Sequence, residues 1–199
     1  VGTAGFFGWL AMAFILVSMV GTGVNVAHAI GKDEINEARK FVRTGFLSNI
    51  IIITISSLAL IIFREKLISF FNLGDRNIIK MAKTYLAVVA SGFIFYSSNQ
   101  MFSGTLNGYG DSRTPFKINA LGLIINMILD PVLIFGLGPF PRLEVLGAAL
   151  ATITAQFVVT LTFMWNMKDH VLFSGNKIFS RPDFERMREI IITGFPVAL

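Results

Sequence analysis

The chain has 199 residues, 54% hydrophobic and 15% charged, with a formal net charge of +5 and a mean hydropathy of +0.69. A soluble domain carries about 25% charged residues, so this composition points to an all-α polytopic membrane protein. The basic residues sit in short stretches between apolar runs, which is the pattern of membrane topogenesis and not of nucleic-acid binding. There is no cysteine, which excludes disulfides, thiolate metal sites and a cysteine nucleophile.

Crossing a hydrocarbon core takes about 20 apolar residues as a helix, and the chain supplies such runs in order. Residues 1–31 contain no Asp, Glu, Lys or Arg and suffice for one span. Residues 46–63, rich in Ile, make a second, and 84–110 a third. The fourth, 118–141, contains Asp130, and the fifth is 145–167. A sixth run begins at 190 and reaches the end of the chain at Leu199. The sequence also opens inside an apolar run, without an initiating Met or a charged signal region, and reads as a piece of a longer protein.

Connections alternate between the two sides. Lys32, Arg39, Lys40, Arg43, Arg113, Lys117, Lys168, Lys177, Arg181, Arg186 and Arg188 share one side. The smaller set of Arg64, Lys66, Arg76, Lys80, Lys83 and Arg142 lies on the other. The positive-inside rule places the larger set in the cytoplasm. The longest connection, 168–189, then carries Ser180-Arg181-Pro182-Asp183, which predicts a helix start with Ser180 as N-cap. Phe184, Met187 and Ile191 follow at helical spacing, consistent with a helix on the membrane surface or with the solvated beginning of the next span.

Asp130 is the only one of the twelve acidic residues that lies inside a long apolar run. Ionisable groups at membrane depth are costly and mark sites by default. At 3.6 residues per turn Asn119, Gly122, Asn126 and Asp130 share one face. Pro131 has no N–H, so the carbonyl of Met127 loses its helical partner. A carboxylate, an amide oxygen and a freed carbonyl within one turn suit a hard monovalent cation, and a proton would fit the same carboxylate. The competing structural role is a carboxylate that snorkels from the helix end or pairs with a lysine. Gly147, Ala151 and Ala155 on the fifth span predict close helix packing. His28, just before Lys32, is expected at the interface.

Between the third and fourth spans runs Gly104-Thr105-Leu106-Asn107-Gly108-Tyr109-Gly110-Asp111-Ser112-Arg113-Thr114-Pro115. It reads as a tight glycine-rich turn that ends where Pro115 begins a helix. Gly108, Gly110, Asp111, Arg113 and Pro115 carry this motif, with Asp111 and Arg113 in the cytoplasmic headgroups. The motif resembles the loop between helices four and five of the multidrug and toxic compound extrusion (MATE) family. Asn126-Met127-Ile128-Leu129-Asp130-Pro131 resembles that family's fifth helix. Gly147-Ala148-Ala149-Leu150-Ala151-Thr152 with Gln156 resembles the start of its sixth, and Ala29-Ile30-Gly31-Lys32 with Ala38 the end of its second.

The resemblance implies part of the six-helix N-lobe of a twelve-helix transporter in the cell membrane. It divides the chain into N-lobe helices (1–167), an inter-lobe loop (168–189) and the start of the first C-lobe helix (190–199). The first helix and most of the C-lobe would be further partners, beside the lipid bilayer. The implied activity is antiport of Na⁺ or H⁺ against organic, often cationic, compounds, with no other cofactor. The implied cation site uses Asp130 and Asn126, with Thr152 and Tyr85 as further ligands.

Two other activities are weighed on the residues. A lipid-linked oligosaccharide or polysaccharide flippase of the related exporters would need cationic side chains for anionic headgroups, and no Lys or Arg lies inside an apolar run. Gly108-Tyr109-Gly110-Asp111 fits an intramembrane aspartyl protease pattern, but such catalysis needs two carboxylates sharing a proton. Asp111 and Asp130 would be about 28 Å apart along a helix, so no enzyme is indicated.

Overall fold

A computed structural model describes residues 2–70, 76–174 and 183–197. The described residues form α1 (Gly2–Gly31), α2 (Ile35–Phe70), α3 (Arg76–Tyr109), α4 (Arg113–Phe135), α5 (Glu144–Met167) and α6 (Phe184–Gly194), the last continuing as a 3₁₀ turn over Phe195–Val197. None of them is in a strand. α2 through α5 are each long and apolar enough to cross a membrane. The apolar runs mark these helices, but the helices outlast the runs. α2 begins well before 46 and continues past 63, because charged residues at its ends can remain helical in the headgroup zone. α4 stops earlier than 141, at Phe135. Gly136 caps it at φ 72, a conformation that disfavours any side chain, and the N–H groups of Gly136 and Leu137 both donate to the Val132 carbonyl.

The link between α3 and α4 is shorter than the glycine pattern suggests. α3 runs to Tyr109, so Gly104 and Gly108 lie inside a helix, and the turn is confined to Gly110 (φ 98), Asp111 and Ser112. A Cβ at Gly23 of α1 would stand 2.8 Å from the Gly104 carbonyl oxygen, and one at Gly108 would collide with the Gly23 carbonyl. These glycines let α1 and α3 pack backbone to backbone. Asp111 does the capping: its Oδ1 accepts the N–H of Arg113 (3.1 Å) and of Thr114 (3.0 Å). Hydrogen bonds from Thr114 hold the Asp111 carboxyl below its ordinary value. Pro115 is buried in the first turn of α4 and Arg113 is exposed.

α6 resolves the two readings of its segment. Its N-cap is Asp183, which accepts the Arg186 N–H at 3.2 Å. Ser180 lies outside the described residues. Ile190 is buried, and its carbonyl abuts Gly21 of α1. One turn on, Gly194 abuts the Val17 carbonyl. The two pairs run antiparallel along α1, so α6 enters the membrane beside it and does not lie on the surface. The helix starts at Phe184, before the boundary expected at 190. Arg186 ties its start to Glu37 of α2 at 2.7 Å.

The largest core cluster gathers at the end where α1, α3 and α5 finish. It includes Val42, Phe46, Met101, Phe102, Leu106, Ile118 and Phe163. The segment after α5 folds beneath this cluster and closes it. Leu172 is fully buried, Arg39 Nε donates to the Val171 carbonyl at 2.7 Å, and His170 Nδ1 accepts the Leu172 N–H at 3.2 Å. His170 stands edge-on to Tyr109. Burial pushes its imidazole below the ordinary 6.5, with the Asp111 charge pulling the other way. Protonation opposes both the burial and the hydrogen bond from Leu172. The folded value lies below the unfolded one, so docking of this segment is at full strength above about pH 6.5 and weakens as pH falls through the folded value. The protection factor of the Leu172 amide, its exchange rate corrected for the intrinsic pH dependence, is therefore expected to fall below that pH. His170→Gln should remove the pH dependence, and a flat wild-type profile would contradict the assignment.

Candidate functional site

α5 packs along both α3 and α4, whereas α3 and α4, although consecutive, make few contacts with each other. The three helices therefore bound a groove with α5 as its floor. Near the α3–α4 turn the groove is closed by Asn119 Nδ2 donating to Ser103 Oγ at 3.0 Å. In the middle it holds a tight polar cluster. Asn99, 2% exposed, donates from Nδ2 to Gln156 Oε1 (2.8 Å) and to the Gln156 carbonyl (2.9 Å). Its Oδ1 accepts the Thr160 hydroxyl at 2.8 Å. Such interhelical bonds satisfy polar groups that lipid cannot.

Asp130 and Asn126 lie further along α4, both half-buried. Asn126 Nδ2 donates to Asp130 Oδ1 at 3.5 Å, a long contact, and the Asn126 oxygen faces no donor among the described residues. No basic side chain forms an ion pair with Asp130 among the described residues, so the lysine pairing weighed from sequence is not seen. At about 1.5 Å per residue Asp130 stands about 26 Å from the start of α4, toward the helix end remote from Arg113. α4 passes through Pro131 without a break and ends at Phe135. This unbroken helix keeps Asp111 and Asp130 far apart and removes the protease geometry. Asp130 lies about one and a half turns before the end of α4 at Phe135, within the reach that the snorkelling alternative requires.

The remaining expected ligands fall around this point. Tyr85 of α3 is half-buried and within electrostatic reach of Asp130. It also lines an opening between the N-terminal ends of α3 and α5 with Asn77, Lys80 and Thr84. Thr152 is exposed, and its hydroxyl donates to its own helix at the Ala148 carbonyl, 3.0 Å. One turn on from Thr152 come Ala155, which is buried, and Gln156, which faces α3. No hydrogen bond joins Thr152 to Asp130 or Asn126 among the described residues. Gly147, Ala151 and Ala155 are buried as the small-residue spacing predicts, and a Cβ at Gly147 would stand 2.5 Å from the Leu133 carbonyl of α4. Thr160 was not singled out from sequence. Its signal was its place one turn after Gln156 on the same face.

α4 is the least enclosed of the spans. Only 11% of its apolar stretch is buried, against 28% in α3 and in α5, and Leu123, Ile124, Met127 and Ile128 are exposed. In a membrane such a face meets lipid or another helix, and the carboxylate on its edge is left with few protein partners.

The family description MatE matches residues 1–132. A "Probable multidrug resistance protein NorM" of Thermotoga maritima is 31% identical over 194 residues, covering 96% of this chain and 41% of that protein. An "FAD transporter" of Shewanella oneidensis is 33% identical over 173 residues, covering 85% of this chain and 37% of its own length. The chain thus spans about two fifths of the curated relatives it matches. Among solved structures, an outward-facing multidrug resistance MATE family transporter superposes with a TM-score of 0.85 at 24% identity, over 99% of this chain and 44% of that one. The inward-facing form gives 0.84 at 23% identity, over 98% and 44%. These structures share the fold of this chain.

Proposed function

Because the chain belongs to the MatE family, a family of multi-pass membrane transporters, we propose that it forms part of the N-lobe of a cation-coupled antiporter that exports organic compounds. The reading rests on one observation. Asp130 is a half-buried carboxylate at membrane depth, with a single long hydrogen bond and no basic partner among the described residues. An unpaired charge in such a place is expensive, and a bound Na⁺ or a proton relieves the cost. Asn126 supplies an amide oxygen one turn away, the Met127 carbonyl is freed by Pro131, and Tyr85 of α3 is within electrostatic reach; Thr152 of α5 is the further ligand of this reading. Ion occupancy then biases alternating access, because the cation binds one conformation more tightly than the other.

The cargo divides the family's relatives, since one is described as a multidrug resistance protein and another as an FAD transporter. We assign an organic, often cationic, compound. The side chains that bond across α3, α4 and α5 are neutral amides and hydroxyls, and Lys80 lines the opening beside Tyr85. A flippase for lipid-linked sugars, whose anionic headgroups need cationic residues, is the weaker reading. The test uses the intact transporter in proteoliposomes with an imposed Na⁺ or pH gradient. A fluorescent organic cation, FAD and a lipid-linked oligosaccharide are offered in turn. Gradient-driven movement of the organic cation is expected. Movement of FAD or of the lipid instead reassigns the cargo, and movement of any cargo without a gradient overturns the coupling.

A further inference from the structure

The groove holds more polar groups than a cation site at Asp130 requires, and they are arranged in a row. The register of α4 against α5 is set at two points. Gly147 abuts Leu133, and Gly122 abuts Val159. Gln156, one turn before Val159, therefore comes level with the turn of α4 that holds Asn126. From there the groups are joined by hydrogen bonds. Gln156 Oε1 accepts from Asn99 at 2.8 Å, and Asn99 Oδ1 accepts from Thr160 at 2.8 Å. The Ser103 hydroxyl donates to the Asn99 carbonyl at 2.9 Å and accepts from Asn119 at 3.0 Å. Below Asn119 an opening lined by Ser103, Asn107, Ser112 and Asn119 lies at the cytoplasmic ends of α3 and α4.

The row thus descends from Asp130 through Asn126, Gln156, Asn99, Ser103 and Asn119 to the cytoplasm. Every member below Asp130 is neutral and offers an oxygen. Lys and Arg are absent from it, and the first charged residues are Asp111, Arg113 and Lys117 at the mouth. Neutral oxygens in series hold a small cation or water weakly at many places, which permits passage where a second carboxylate would trap the ion. Close helix packing would be served as well by the small residues that line the α1–α3 and α4–α5 contacts, so packing alone does not call for five polar side chains in line.

We propose that this row is the cytoplasmic access path of the coupling ion, along which a cation held at Asp130 and Asn126 leaves for the cytoplasm. The Asn99–Gln156 and Asn119–Ser103 bonds close the path and must open for release. The proposal rests on the cation-site reading above. Antiport requires the site to reach each side in turn, and the outer side is near, whereas the cytoplasm is a helix-length away.

This chain has no cysteine, and with any cysteine elsewhere in the intact transporter replaced by serine the path is testable by substituted-cysteine labelling. Asn99→Cys, Ser103→Cys, Asn119→Cys and Gln156→Cys are made singly in the intact transporter, with Leu121→Cys and Ile124→Cys as lipid-facing controls. Inside-out vesicles are treated with a charged, membrane-impermeant thiol reagent. A thiol in a wetted path ionises more readily than one in lipid, so labelling about tenfold or more faster than at the controls is expected. Added Na⁺ or acid should slow it. A second readout is Asn119→Leu, for which cation-driven turnover is expected to fall about tenfold while the cation concentration for half-maximal rate, applied from outside, stays unchanged. Asn119→Ser should restore the rate. Labelling at the control rate overturns the path and leaves the cation site standing. Unimpaired coupling in Asp130→Asn overturns the cation site, and the path with it.

Discussion

Asp130→Asn is expected to abolish gradient-driven export in the intact transporter while leaving insertion and thermal stability close to wild type. Asparagine has nearly the same shape and keeps a hydrogen-bonding group beside Asn126, so the α4–α5 contact through Gly122 and Gly147 is undisturbed. What disappears is the one carboxylate that this chain carries inside an apolar run. A ligand can shift a conformational equilibrium only by its difference in affinity between the two states. Coupling energies of this kind are about 1–3 kcal/mol, or roughly 5–150-fold in affinity, and a site without the carboxylate loses that difference. Removing an unpaired charge from an apolar setting also relieves its cost, so the melting temperature should hold or rise. Asp130→Glu keeps the charge but displaces it by one methylene and should retain partial coupling. Export by Asp130→Asn at the wild-type rate would end the assignment.

Gly108→Val is expected to disrupt folding strongly. A Cβ at Gly108 would collide with the Gly23 carbonyl on α1, and backbone atoms cannot rotate away as a side chain can. Overpacking of well-packed cores costs about 1–3 kcal/mol, and a clash of backbone against backbone lies at or beyond the upper end. The same contact zone includes Gly104, whose added Cβ would stand 2.6 Å from Met19 Cγ and 2.9 Å from its carbonyl. α1 would be pushed off α3, and α6, which packs on α1, would be displaced with it. Fluorescence-detected size exclusion should show loss of the monodisperse peak. Gly110→Ala is the matched control. A Cβ there meets nothing within 4 Å and bears only the strain of φ 98, about 1 kcal/mol. Equal stability of the two variants would refute the close-approach account.

The legible part of this molecule was written in local patterns. Five apolar runs marked α1 to α5. The spacing of Asn126 and Asp130 placed both on one face of α4, and they meet there. The small residues of α5 were read as a packing stripe and are buried. Illegible parts follow from what local patterns omit. Gly104 and Gly108 read as a turn because glycine breaks helices in water, yet both lie in α3, where close approach to α1 outweighs their poor helix propensity. Asp183, and not Ser180, caps α6. Helix ends ran past the apolar runs, since exposed side chains such as Lys66 and Lys80 stay solvated while their backbone keeps its helical hydrogen bonds.

The sequence by itself determined that the chain spans a membrane repeatedly and which carboxylate lies within an apolar run, because hydropathy and helical period act over one or two turns. Only the tertiary structure decided that α3 and α4 diverge over α5, that Asn99, Gln156 and Thr160 join across helices, and that α6 enters the membrane along α1. Those features depend on the approach of backbones far apart in the chain, which is set by where a glycine meets a carbonyl, and no single helix carries that information.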